Sequence, residues 1–175
     1  MHKKLAGLLA VVGFALLATM TVALPGSAST MNGTAATVSP DVSISRATVI
    51  ARAKVWVAAG IKYNQGATYK GYRTDCSGYV SYTWELGKPG LTTPEFPSVA
   101  TQISKSSLKA GDILLNKAAG NAGHVVLFDT WANGAHTEYW GYELSGSGMH
   151  HRIITYPYYS GYGTFLPYRY KHITG

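Results

Sequence analysis

The sequence predicts an α+β domain built on an antiparallel sheet. Three observations lead there. Apolar residues recur at helical spacing in the first half of the globular part, around Ala47–Ala58 and Cys76–Leu86. Five short apolar or aromatic runs fill the second half. Turn residues, Asn133-Gly134 and Ser145 to Gly148, join several of those runs at hairpin spacing. Helices first and strands afterwards, with short connections, argue for segregated α and β parts rather than alternating βαβ units.

Ahead of the fold stands a segment of a different kind. His2, Lys3 and Lys4 form a basic head, and Leu5 to Leu24 is an apolar run. Pro25-Gly26-Ser27-Ala28-Ser29 follows with small residues. This is the pattern of a secretory signal peptide. A membrane anchor of about 20 apolar residues is the rival. The extreme N-terminal position and the lack of a basic flank after the run favour cleavage within Ala28 to Thr30. Residues 1–29 are therefore expected to be a signal peptide, and 30–42, small and polar, a flexible leader. Residues 43–175 are expected to form one domain, long enough for a core of its own. No stable membrane span is expected after cleavage.

The full chain has 15 Lys+Arg against 8 Asp+Glu, a net charge of +7. Without Lys3 and Lys4 the count is 13 against 8, or +5. The basic residues are scattered, so no nucleic-acid groove is expected. A mild positive charge suits attraction to an anionic surface.

Within the domain, Ser43 or Ser45 can cap a first helix. Ala47, Val49, Ile50, Ala53, Val57 and Ala58 form its inner stripe, with Trp56 at the edge and Gly60 as the C-terminal stop. Ile61 to Thr74 reads as a tyrosine- and glycine-bearing loop. Asp75 caps a second helix, Cys76 to about Leu86. Tyr79, Val80, Tyr82, Thr83, Trp84 and Leu86 make most of its surface apolar, as for a helix buried in a core. Gly78 permits a close approach by a neighbour, and Gly87-Lys88-Pro89-Gly90 ends the helix. Leu91 to Pro97 is extended, and Ser98 to Ser104 a short helical turn. Five strands follow: one ending near Asn116, then His124–Asp129, His136–Leu144, Met149–Tyr156 and Thr164–Tyr170. Asn133-Gly134 makes the hairpin turn between the second and third.

Cys76 is the one cysteine of the chain, which excludes an intramolecular disulfide. An unpaired thiol in an exported domain points to intermolecular pairing or to reactivity; a buried, inert cysteine is the alternative. The free N–H groups of a helix's first turn favour a thiolate. Asp75 would oppose this, but as a cap its carboxylate is tied to backbone N–H groups. A thiol nucleophile needs a base, and the base an orienting group. Of His124, His136, His150, His151 and His172, the first opens an apolar strand after Gly123 and is the candidate base. Glu143 on the next strand is the first choice to orient it, with Tyr139 and Gly141 on the same face by the two-residue period. His136 is the second choice. No His-x-x-x-His spacing exists and His150-His151 point to opposite faces, so neither a metal nor a cofactor is expected. Two facing carboxylates, as in a glycosidase, are not announced.

Tyr63-Asn64-Gln65-Gly66, Asp75-Cys76-Ser77-Gly78-Tyr79-Val80, Gly111-Asp112-Ile113-Leu114 and Gly123-His124-Val125-Val126-Leu127-Phe128 occur in that order. Together they resemble the NlpC-type cell-wall cysteine peptidases, over roughly Ile44 to Glu143. The resemblance implies a papain-like fold, with the cysteine-bearing helix packed on a mainly antiparallel sheet, five-stranded by the strand pattern above. It implies Cys76 as nucleophile, His124 as base, and Tyr63 with the Cys76–Ser77 segment at the oxyanion and substrate. The strand holding Glu143 resembles the glutamate-bearing strand of the related CHAP domains, whereas His136 matches the usual third residue more closely by spacing. The implied partner is the peptide of bacterial peptidoglycan, and the implied state a secreted or wall-associated monomer. Amidase or acyl-transfer chemistry on the same pair, or wall binding without catalysis, are the other functions this pattern can serve.

Overall fold

The computed structural model describes residues 42–175. The expected signal peptide and all but the last residue of the leader lie outside them. In chain order come β1 (Ile44–Ser45), α1 (Arg46–Ala58), β2 (Asn64–Tyr69), β3 (Tyr72–Thr74), α2 (Cys76–Thr83), α3 (Phe96–Val99) and β4 (Ala100–Gln102). Then follow β5 (Ile113–Asn116), β6 (His124–Trp131), β7 (Glu138–Ser145), β8 (Gly148–Thr155), β9 (Leu166–Tyr170) and β10 (Ile173–Thr174).

A six-stranded antiparallel sheet carries the fold, in the order β4-β9-β5-β6-β7-β8. Five strands are expected from the sequence; the sixth is β4, where a helical turn over Ser98–Ser104 is predicted. Residues 96–99 do turn helically, but Ala100 to Gln102 then pairs with Tyr170 to Tyr168. That pairing is set by a partner some seventy residues away and leaves no local mark. The predicted loop Ile61–Thr74 is likewise a hairpin, β2 against β3, with an irregular register between Asn64 and Thr68.

Ser45 caps α1 by accepting from the Thr48 N–H. Gly60, at φ 59, follows the helix end in the left-handed region that suits glycine. Trp56 is not at the helix edge: it is fully buried, with its ring centroid within 5.5 Å of those of Tyr69, Tyr79 and Tyr82. Helix α2 ends at Thr83, three residues before the predicted end, and Glu85 turns to φ 60. Trp84 and Leu86 remain in the core.

Every residue of α2 is buried. Tyr79 and Val80 share a core with Val49, Ala53, Val125, Leu127, Tyr142 and Leu144. The opposite sheet face, with Leu114, Val126, Phe128, Tyr139 and Ile154, is covered by Phe165 and the tyrosines of the 156–159 segment. Asp112, fully buried, ties the two ends of the domain. It accepts from Arg46 at 2.9 Å and from Arg169 at 2.7 Å. No helix among the described residues is long and apolar enough to cross a membrane.

Candidate active site

The end of the sheet nearest the start of α2 carries a groove. Three elements meet there: Cys76 from the first turn of α2, His124 from the first residue of β6, and Glu143 from β7.

The thiol's position is fixed by the cap beneath it. Asp75 Oδ1 accepts from the Gly78 N–H at 2.6 Å and from the Ser77 hydroxyl at 3.0 Å. Its Oδ2 accepts from Arg73 Nε at 2.8 Å. Cap and guanidinium together compensate the charge of the carboxylate beside the thiol. Arg73 is itself held by the carbonyls of Gly90 and Leu91, each at 2.7 Å. A Cβ on Gly78 would lie 2.2 Å from the Arg73 carbonyl oxygen, so only glycine lets the helix start this close to β3. Cys76 is 5% exposed. The Ser77 side chain lines the groove beside it, but its hydroxyl is engaged by Asp75 and Arg73. Its place in the site is therefore to brace the cap.

Glu143 is fully buried, and its Oε1 accepts from His124 Nε2 at 2.8 Å. His124 is also within hydrogen-bonding reach of Cys76. With Nε2 turned to the carboxylate, Nδ1 is the nitrogen left for the thiol. Burial works against a charged ring, but the bonds to Cys76 and Glu143 outweigh it and push the His124 pKa up to about 9. The imidazolium therefore persists through neutral pH. Burial also raises the cost of ionising Glu143, yet hydrogen bonds from His124 and Tyr158 and the charges of His124 and Arg152 hold its pKa below the ordinary value.

His124 is aimed by what precedes it. A Cβ on Gly123 would lie 1.9 Å from the Ala118 carbonyl oxygen and 2.2 Å from Thr93 Oγ1. Those two atoms are themselves bonded at 2.7 Å. Asn116, paired with His124 across the sheet, donates to the carbonyls of Ala122 and Tyr162 at 2.9 Å each. The loop before the histidine is thus pinned from three sides.

Tyr63 lines the same hollow as the thiol. Its hydroxyl accepts from Gln65 Nε2 at 3.0 Å, which leaves the phenolic proton free to be donated. Burial, then the proximity of Cys76, raises its pKa, so the phenol keeps that proton. Tyr63 and Gly123 border both hollows of the groove. The smaller, about 90 Å³, contains Cys76, Ser77, Thr92 and Thr93. The larger, about 390 Å³, contains His124, Ser145, Gly146, Tyr158 and Tyr162. Gln65 Nε2 also reaches Asn121 Oδ1 at 3.2 Å, spanning the two walls.

The structure brings Cys76, His124, Glu143, Tyr63 and Ser77 together and leaves His136 out. His136 lies in the loop after β6, at φ 56, with its ring stacked 4.5 Å from that of Trp131. The eight residues of β6 separate it from His124, roughly 20 Å at the rise of a strand. Two members of the site have no signal in the sequence. Tyr158 donates its hydroxyl to Glu143 Oε1. Arg152 donates Nε to Oε2 at 2.8 Å, and Nη2 to the same oxygen. Tyr158 packs in the tyrosine-rich 156–159 segment, its ring 4.4 Å from that of Phe165. Its phenol end, however, belongs to the groove. Among the described residues no three His, Cys, Asp or Glu side chains cluster so as to hold a metal ion.

A buried cysteine at a helix start, beside a histidine on an antiparallel sheet, defines a papain-like arrangement. The profile of the NlpC/P60 family matches residues 60–161, more than half of the chain, and the chain belongs to that family. The family is one of cell-wall peptidase-type hydrolases, generally cysteine peptidases or amidases. No curated protein matches the chain at a significant level.

Proposed function

We propose that the protein is a secreted cysteine hydrolase that cleaves peptide bonds in the stem peptides of bacterial peptidoglycan through a thioester acyl-enzyme. The observation that carries this reading is Cys76 beside His124, whose Nε2 is hydrogen-bonded to Glu143, at the groove of an NlpC/P60 member. The thiolate of Cys76 attacks the scissile carbonyl carbon. The resulting oxyanion is met by the Cys76 backbone N–H at the helix start and by the Tyr63 hydroxyl. The His124 imidazolium gives its Nδ1 proton to the leaving amine as the C–N bond breaks. A water then enters, His124 takes its proton, and the thioester is hydrolysed. Glu143 keeps the ring oriented and supports its positive charge. The expected signal peptide would deliver the enzyme outside the cell or to the wall, where its positive charge suits an anionic polymer.

Digestion of purified muropeptides followed by mass spectrometry tests the reading. Shortened stems still attached to their sugars are expected. A free glycan with an intact stem would replace the peptidase by an amidase on the same residues. Unchanged muropeptides together with a wall that retains the protein would leave a binding role.

A further inference from the structure

The carboxylate of Glu143 is saturated with donors. It has two oxygens and about four lone-pair positions. His124 Nε2 and the Tyr158 hydroxyl share Oε1, and Arg152 Nε and Nη2 share Oε2. As drawn, each partner donates to the ionised carboxylate, and the two guanidinium contacts on Oε2 can only donate. With both oxygens held, the carboxylate has no freedom to rotate about its last torsion. Tyr158 acts a second time through its ring, which lies 5.3 Å from the His124 ring, while Phe165 meets the same imidazole edge-on at 6.2 Å. The imidazole is wedged by rings on one side and aimed by a clamped carboxylate on the other.

Other ionisable groups around the pair are few. Cys76 neighbours His124 from α2, and Tyr63 lines the hollow that holds the thiol. Tyr139 lies on β7 and Tyr159 beside Arg152. His150, opposite Glu143 across β7 and β8, bonds to Ser147 instead. Among the described residues, Arg152 is therefore the one permanent cation in contact with Glu143.

We propose that Arg152 and Tyr158 are positioning residues that clamp Glu143, so that His124 presents Nδ1 to Cys76 and Arg152 offsets the carboxylate's charge. This rests on the thiol-hydrolase reading above. The effect on pH has one sign. Loss of the Arg152 charge makes every nearby deprotonation harder, so the whole reactivity profile moves to higher pH. Loss of the Tyr158 hydroxyl leaves Oε1 held by the imidazole alone and lets the ring swing.

Alkylation of Cys76 by iodoacetamide, followed across pH, reads the pair without any substrate; muropeptide turnover and thermal melting accompany it. In Arg152→Gln the alkylation profile is expected to move up by about half a pH unit, the effect of a partly solvated charge. Arg152→Lys, which keeps the charge but not the two-pronged contact, restores the profile. Tyr158→Phe keeps the ring, and is expected to lower kcat about tenfold with KM within about twofold. Should Arg152→Gln melt early, Tyr158→Phe alone decides. If the wild-type thiol is no more reactive than a free cysteine, the hydrolase reading itself falls. If it is activated, yet the variants keep the wild-type profile and turnover, the clamp alone is refuted.

Discussion

Adding one methyl group at Gly123 tests how tightly His124 is aimed. The backbone of Gly123 has φ −83 and ψ 147, which any residue adopts, so Gly123→Ala carries no conformational strain. The whole effect is steric. The new Cβ would sit 1.9 Å from the Ala118 carbonyl oxygen and 2.2 Å from Thr93 Oγ1. Ordinary contact needs about 3.4 Å, so one wall must retreat by about 1.5 Å. Both neighbours belong to one hydrogen bond, which must open. Overpacking costs about 1–3 kcal/mol, and the lost bond about 1 kcal/mol more. A melting midpoint lowered by about 5–10 °C is expected. Because the displaced loop leads directly into His124, turnover is expected to fall about 100-fold, the effect of a misplacement near 1 Å. Gly134→Ala is the control, since a Cβ there meets nothing within 4 Å. Muropeptide turnover and thermal melts measure both variants. Wild-type turnover and melting in Gly123→Ala would refute the reasoning.

Glu143→Gln replaces one acceptor oxygen by an amide N–H₂ and removes the charge that supports the imidazolium. Turnover should fall on the order of 100-fold, and the alkaline limb of the pH–rate profile should move down from about 9. In the wild type, activity should hold through neutral pH and decline above about 9, as the His124 proton is lost; a decline already complete near pH 7 would contradict the ion pair. Tyr63→Phe should lower kcat about 100-fold with little change in KM, if the hydroxyl meets only the oxyanion. Asp112→Asn leaves Arg46 and Arg169 facing a neutral group, and should lower stability by about 3 kcal/mol in a denaturant titration while sparing kcat.

What the sequence announces here is local. Asp75 before Cys76 marks a capped helix because the cap and the helix are neighbours. Gly123-His124 before an apolar run marks a strand opening on a turn. The period of two places Glu143 with Tyr139 and Gly141, which makes Glu143 the first choice to orient His124, while the spacing of His136 keeps it as the alternative. The rest depends on distant partners. Strand β4 exists because Tyr168 to Tyr170 lie beside it. The β2–β3 hairpin has a shifted register that breaks the two-residue alternation of a regular strand. Trp56 looks peripheral on a helical wheel, but the tyrosines of β2 and α2 close over it. Tyr158 is one tyrosine among several, and only the fold turns its hydroxyl rather than theirs to Glu143. Arg152 sits on β8, diagonal to Glu143 across the strand pair, a relation visible only once the register is known.

The central claim is that chemistry passes through Cys76. Purified wild-type protein and Cys76→Ala, incubated side by side with the same muropeptides, test it most directly. Cleaved stems are expected from the wild type and none above background from the variant, which should melt at the wild-type temperature. Equal cleavage by the two proteins would contradict the account.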